Sequence, residues 1–272
     1  MPWAYLRLPP FPQVAVRILE LVTNENVQLH EMCELVSSDA AFASEVLTVA
    51  NSALYSPRYP ANSIMQAIAV LGADTLQGMC VTVAVRAYLG KTMNQPALRA
   101  LWRHSLACGM IGQELARGGL VDEYTAYTAG ILHDIGRIAL TVIQSKDYAA
   151  LLGSHQGPAQ SILEHERELF GWDHCEAGLR LVSGWKLPRE FGEVVKEHHD
   201  ARQSDVWSLS ELVKMSCAIA DTAGFAAFAG CEAVPYENLL EKLPAREREV
   251  MEPDLAKLTA KIQEGISAIE SV

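Results

Sequence analysis

At 272 residues, half of them hydrophobic, the chain can bury one large core or two ordinary ones, which excludes a disordered polymer. Its 22 Lys and Arg against 33 Asp and Glu leave a net charge of −11, which opposes non-specific attraction to nucleic acid or an anionic membrane. The scattered cysteines (Cys33, Cys80, Cys108, Cys175, Cys217, Cys231) form no C-x-x-C pair and follow no secretory leader, so reduced thiols in a cytoplasmic protein are expected. The longest charge-free apolar stretch, Thr75 to Val85, is too short to span a bilayer as a helix.

Helical punctuation dominates in chain order. Val14, Ile18, Leu21 and Val22 follow Pro12 at helical spacing, and Ser38 or Asp39 caps a run carrying Phe42, Val46, Leu47 and Ala50 that Asn51 closes. Ser63 opens a helix with Ile64, Ile68 and Leu71 on one stripe, closed by Gly72; Leu76, Met79 and Val83 mark the next, closed by Gly90. The β-branched cluster Val81 to Val85 is compatible with a buried strand, but its length and flanks favour helix.

Periodicity lapses between Lys91 and Pro96, which places a module boundary there: an N-terminal helical lobe over 1–93 and a second over 94–235. The second lobe is predicted to hold a helix near 97–117, a break at Gly118-Gly119 and a helix through 122–144. Further helices are predicted near 158–170, 174–184, 188–200 and 208–222, then an Ala/Gly-rich loop over 223–235. Residues 236–272, charged from Glu247 onward with Leu255, Leu258, Ile262 and Ile266 on one stripe, are expected to form a final amphipathic helix. The fold class is therefore all-α, in two helical lobes.

Chemistry concentrates at His133-Asp134, within the apolar stretch Ala129-Gly130-Ile131-Leu132-His133-Asp134-Ile135-Gly136-Arg137. An imidazole and a carboxylate are both costly to bury unpaired, and both suit a divalent metal. The dipeptide alone is weak, since His199-Asp200 repeats it. His104 shares a stripe with Leu101, Cys108, Ile111 and Leu115, and Asp221 follows Leu209, Val213 and Cys217 at four-residue steps, so each faces a core. The bland alternatives are a hydrogen-bonded core histidine and a cap for residues 222–224. His174, His198 and His199 fall at predicted helix ends, where imidazolium placed at a helix C-terminus also has a purely structural use.

Other signals are set aside. His165-Glu166-Arg167-Glu168-Leu169 opens like a zincin helix but has Leu169 where the second histidine belongs, and neither common phosphate-cradling loop is present. Ser105 and Cys108 lack an identifiable base or oxyanion hole. Trp102, Trp172 and Trp185 read as packing anchors rather than a base-stacking platform, and Arg99, Arg103 and Arg117 are the nearest thing to a basic cluster.

The order His104, His133-Asp134, Asp221 on three helices resembles the H…HD…D signature of the HD-domain metal-dependent phosphohydrolases. That resemblance implies a helical bundle in which His104, His133, Asp134 and Asp221 bind one divalent metal (Fe, Mn, Zn or Mg), with Asp134 and Arg137 catalytic if the chain is a hydrolase. His174, His198 and His199 resemble positions that bind additional metal in HD-GYP phosphodiesterases; here, however, no Gly-Tyr-Pro follows, and Arg137 stands where lysine is usual.

Leu8-Pro9-Pro10-Phe11-Pro12, Val36-Ser37-Ser38-Asp39-Ala40, Val49-Ala50-Asn51-Ser52-Ala53-Leu54-Tyr55, Ala67-Ile68-Ala69-Val70-Leu71-Gly72, Trp102-Arg103-His104-Ser105 and Gly184-Trp185-Lys186-Leu187-Pro188 resemble, in that order, the HDOD family. The likeness runs over about residues 5 to 222. It implies a bacterial, cytoplasmic signalling protein that binds a protein partner or a small phosphorylated ligand, with neither nucleic acid nor membrane as partner. The alternatives are an active metal-dependent phosphohydrolase of nucleotide or cyclic dinucleotide phosphoesters, and a helical adaptor whose histidines are structural.

Overall fold

The structure, a computed structural model, describes residues 14, 16–18, 29–52, 55, 57–89, 95–155, 161–200, 206–228, 230–231 and 233–271. The Leu8–Pro12 motif, Leu21 and Val22, Ala53 and Leu54, the Gly90 stop and Lys91 to Asn94 lie outside the described residues. Every regular element among the described residues is an α-helix, and none is long and apolar enough to cross a membrane.

Among the described residues, Val14 and Val16 to Ile18 are helical, and four helices follow them: α1 (Leu29–Ser37), α2 (Ala40–Ala50), α3 (Ile64–Leu71) and α4 (Ala73–Leu89). Asp39, not Ser38, caps α2, by accepting from the backbone N–H of Ala41 and Phe42; Ser63 caps α3 through Gln66 N–H. Asn51 does more than close α2. Its amide both accepts from Ala61 N–H and donates to Ala61 O, pinning the loop back onto the helix end. The β-branched run Val81 to Val85 is helical and buried.

The remaining described chain carries α5 (Pro96–Ala116), α6 (Glu123–Leu132), α7 (Ile135–Ile143), α8 (Ser145–Ser154), α9 (Ser161–Phe170), α10 (His174–Gly184), α11 (Arg189–Glu197) and α12 (Leu209–Thr222). Helix α5 is the axis: α6, α7, α8 and α12 all pack on it, α10 packs on α7 and α11, and α4 reaches across to α6. Tyr127 of α6 lies over Gly78 of α4, and its hydroxyl pairs with Thr82 Oγ1 at 2.9 Å. One apolar core runs from Val16 to Ile269, and a smaller one gathers Leu98, Leu140, Tyr148 and Phe228 beside the site.

Two expectations are corrected. The single helix predicted through 122–144 breaks at His133-Asp134, where Asp134 leaves helical geometry at φ −98°, ψ 16°. Glycines on either side show why. A Cβ on Gly130 would stand 2.6 Å from Gly109 N, and one on Gly136 would stand 1.8 Å from His174 O. The segment before the pair therefore lies backbone-close on α5 and the segment after it backbone-close on α10, so one straight rod cannot serve both. The single C-terminal helix is likewise three: α13 (Tyr236–Lys242), α14 (Ala245–Val250) and α15 (Leu255–Glu270). Pro235 and Pro244 occupy the N-cap positions of α13 and α14, because proline starts a helix but cannot continue one.

Candidate metal centre

Local structure decides where each polar group points. The Asp173 carboxylate accepts from Glu176 N–H while the Glu176 side chain accepts from Asp173 N–H, a capping box that makes His174 the first residue of α10. His198 caps the other end of the neighbouring element, α11, and His199 follows it. His104 sits in the middle of α5, Cys108 one turn on, and Cys217 and Asp221 one turn apart on α12.

The outward ring nitrogens are tied down. His104 Nδ1 donates to Phe225 O at 2.8 Å, His133 Nδ1 to Gly130 O at 2.7 Å and His198 Nδ1 to Val195 O at 2.9 Å. His174 Nδ1 bonds the Glu166 carboxylate at 2.6 Å. A carbonyl can only accept, so in each neutral ring the lone pair is left on Nε2. These inner nitrogens face one another and Asp134: its Oδ1 lies 3.4 Å from His174 Nε2 and 3.3 Å from His198 Nε2, and its Oδ2 lies 3.6 Å from His133 Nε2. Orientation of a ligating imidazole by a bond to its far nitrogen is how proteins prepare a metal site.

Two groups of donors result, each with one ligand atom per residue and all atoms within 4.8 Å of one another: Asp134, His174, His198 and His199, and His104, Cys108, His133 and Cys217. Both are buried except at His199 and Cys217. They meet between the His133 and His198 rings, whose centroids are 5.1 Å apart.

Arg137, 1% exposed, sets the charge balance. Its Nε donates to Asp134 Oδ1 at 2.8 Å, its Nη2 donates to His199 Nε2 at 3.2 Å, and its Nη1 has no hydrogen-bond partner. Burial alone would favour a neutral Asp134, but Arg137 and then His133 outweigh it and hold the carboxyl well below its usual range. Burial and the neighbouring His198 lower His199 as well, to well below the ordinary imidazole value. Behind His174, Glu166 is fully buried; it accepts from Tyr148 Oη at 2.6 Å and from His174 N–H at 2.8 Å. Against the burial penalty, His174 and Arg137 lower its pKa to about 2.

On the thiol side, Cys108 Sγ is 3.4 Å from His104 Nε2 and 3.7 Å from Cys217 Sγ. The Cys108 contact pulls Cys217 well below its ordinary value, helped against burial by His133 and His104. Burial lowers the pKa of His104, yet Cys217 and Asp221 raise it to about 9. A cavity of roughly 200 Å³ adjoins both groups and reaches the part-exposed Asp200 and Lys214.

Of the sequence-predicted set, His104 and His133 fall in one group and Asp134 in the other, with His174, His198 and His199 beside it. Asp221 is in neither. Its Oδ1 stands 3.5 Å from His104 Nδ1, at the outward edge of that ring, and has no hydrogen-bond partner. The separation of more than about 8 Å that would have favoured a helical adaptor with structural histidines is not seen within either group. In the sequence Glu166 drew notice only within an incomplete zincin motif, Cys108 only as a stripe residue and unsupported nucleophile, and Cys217 only as a stripe residue. The signal for Glu166 was available: it stands four residues after the buried Ile162, a carboxylate on an apolar stripe like that of Asp221.

The HDOD domain family model matches residues 8–201. An uncharacterized protein of Treponema pallidum (strain Nichols) is 25% identical over 201 residues, 71% of this chain but 38% of that relative, so the chain spans well under half the relative's length. Among solved structures, an HDOD domain protein with unknown function from Geobacter sulfurreducens is 25% identical with a TM-score of 0.72, covering 97% of this chain and 93% of that one. A protein from Shewanella amazonensis SB2B, provisionally named a phosphohydrolase, shares the fold at 23% identity and a TM-score of 0.70, covering 97% and 94%.

Proposed function

This chain belongs to the HDOD domain family, and on that footing we propose that it is a cytoplasmic regulatory protein whose buried centre binds a divalent metal and admits a small phosphorylated ligand, the outcome being read by a protein partner. The observation that carries this reading is the tethering of the outward ring nitrogens of His174 and His198, which leaves their Nε2 atoms 3.4 and 3.3 Å from Asp134 Oδ1 as inward donors. Imidazoles held in that orientation are more than a helical scaffold requires. Asp134, His174, His198 and His199 would hold the metal, in which Fe, Mn or Zn suits a mixed nitrogen and oxygen set better than Mg. Arg137 lines the cavity, and its Nη1, which is 3.6 Å from Glu166 Oε1 but makes no hydrogen bond, would offer a phosphoryl oxygen a charge-assisted bond.

A second reading, hydrolysis of phosphoesters, is favoured by one feature, a cavity lined by both Asp134 and Arg137. A bound divalent metal would supply Lewis acidity and a lowered pKa for water. In that reading Asp134 orients the site and Arg137 steadies phosphoryl charge.

The test loads chelator-stripped protein with Mn, Fe or Zn and follows inorganic phosphate by calorimetry and bis(p-nitrophenyl) phosphate by absorbance. The regulatory reading expects metal-dependent phosphate binding, lost in Asp134→Asn, with no turnover near the ~10 s⁻¹ of ordinary enzymes. Turnover of that order, abolished by Asp134→Asn, would establish the second reading instead. Absence of both binding and turnover contradicts both.

A further inference from the structure

Cys108 and Cys217 come from different helices, are buried or half-buried, and meet two imidazoles whose outer nitrogens are already tied. Thiols gain little from hydrogen bonding to each other, so hydrogen bonding alone is a weak reason to gather four such groups. Their spacing fits something else. Around a tetrahedral zinc ion, with Zn–S near 2.3 Å and Zn–N near 2.05 Å, the edges between ligands come to about 3.8 Å for S···S and about 3.6 Å for S···N. The observed Cys108–Cys217 separation is 3.7 Å and the Cys108–His104 separation 3.4 Å.

We propose that His104, Cys108, His133 and Cys217 form a closed thiolate–imidazole site for zinc, separate from the Asp134 group and selective for a softer metal. The inference does not rest on the function proposed above, since the Asp134 group can bind or fail to bind with this site intact. Two sulfurs and two imidazoles prefer Zn(II) or Co(II) over the hard, oxygen-seeking Mg and Mn. All four tetrahedral positions are filled by protein, the arrangement of a structural rather than a catalytic zinc. Its ligands lie on α5, at the α6–α7 junction and on α12, so the ion would staple together the elements that frame the cavity. Neither carboxylate of the H…HD…D signature takes part. Asp221 Oδ1 lies at the far edge of His104, and Asp134 gives Oδ1 to the other group while its Oδ2 stands 3.6 Å from His133 Nε2.

Cobalt tests this in the full-length protein, reduced and stripped with chelator. Titration with Co(II) should produce a near-ultraviolet thiolate-to-cobalt charge-transfer band and the intense visible bands of tetrahedral cobalt. Cys217→Ser, at the half-buried position, should abolish the charge-transfer band while far-ultraviolet circular dichroism is retained. His174→Gln, in the other group, should keep the band, so failure of the Asp134 group to bind metal is distinguishable from failure here. A measurement that needs no variant accompanies it: one equivalent of Zn(II) should slow the reaction of Cys217, one of the three part-exposed thiols, with 5,5′-dithiobis(2-nitrobenzoic acid) at least tenfold, read as a lost fast phase. Cobalt binding without a charge-transfer band, or unchanged thiol reactivity with zinc present, overturns the proposal.

Discussion

His133 and Asp134 are adjacent in the chain yet serve different groups, the imidazole facing the thiols and the carboxylate facing three histidines. The chain leaves helical geometry at Asp134, and the two side chains remain 3.6 Å apart where the groups meet. Glu166 works one layer out. It fixes the His174 ring through Nδ1 and neutralises charge beside Arg137. Glu166→Ala should weaken metal binding at the Asp134 group by roughly 10- to 100-fold, the usual effect of losing a carboxylate behind a ligating histidine. Glu166→Gln, which keeps an acceptor, should recover part of it; competition titration against a chelator reads both, and equal affinities for all three proteins would remove Glu166 from the account. His104, His133 and Asp134 were legible because polar groups among apolar residues demand a partner, whereas His174, His198 and His199 were legible only through the family resemblance. Cys108 and Cys217 were not, because a buried cysteine on a stripe looks the same in sequence whether it packs as a small hydrophobe or gives up its proton.

At the scale of elements, the close crossings at Gly130 and Gly136 hold the site's geometry. Gly136→Ala would set a methyl 1.8 Å from a backbone oxygen that cannot rotate away, so the α7–α10 contact must open. We expect a loss of about 3 kcal/mol or more, beyond the usual cost of overpacking, measured as a lower urea midpoint. Gly153→Ala provides the contrast: in α8 nothing lies within 4 Å of the added methyl, and a gain of up to about 1 kcal/mol is expected from helix propensity. A midpoint for Gly136→Ala equal to wild type would contradict the crossing. The helix starts at Asp39, Ser63, Asp173 and Ser208 were readable from capping chemistry. The 133–134 break was not, because apolar periodicity continues through it and the reason for bending lies on two other helices. The C-terminal subdivision was readable in Pro235 and Pro244, and the longer amphipathic reading overrode that signal.

For the whole molecule, α15 completes the core by lying along α5. Leu258, Ile262, Ile266 and Ile269 are buried there, Arg86 donates to Ile269 O at 3.3 Å, and Lys261 pairs with Glu114 at 2.7 Å. Ile266→Ala should cost about 2–4 kcal/mol through lost packing, whereas Lys261→Ala, at an exposed pair, should cost well under 1 kcal/mol; comparable losses in thermal unfolding would refute this ranking. The family match ends at residue 201, before α12, so Cys217 and Asp221 stand in a part of the chain outside it.

The central claim is that these buried donors exist to hold metal. Reconstitution of chelator-stripped protein with zinc and manganese, followed by gel filtration and elemental analysis, tests it most directly. The account predicts at least one equivalent of metal retained per wild-type chain and a clear loss in folded Asp134→Asn and Cys217→Ser proteins. Retention no greater than a buffer control, or identical in wild type and both variants, would contradict it.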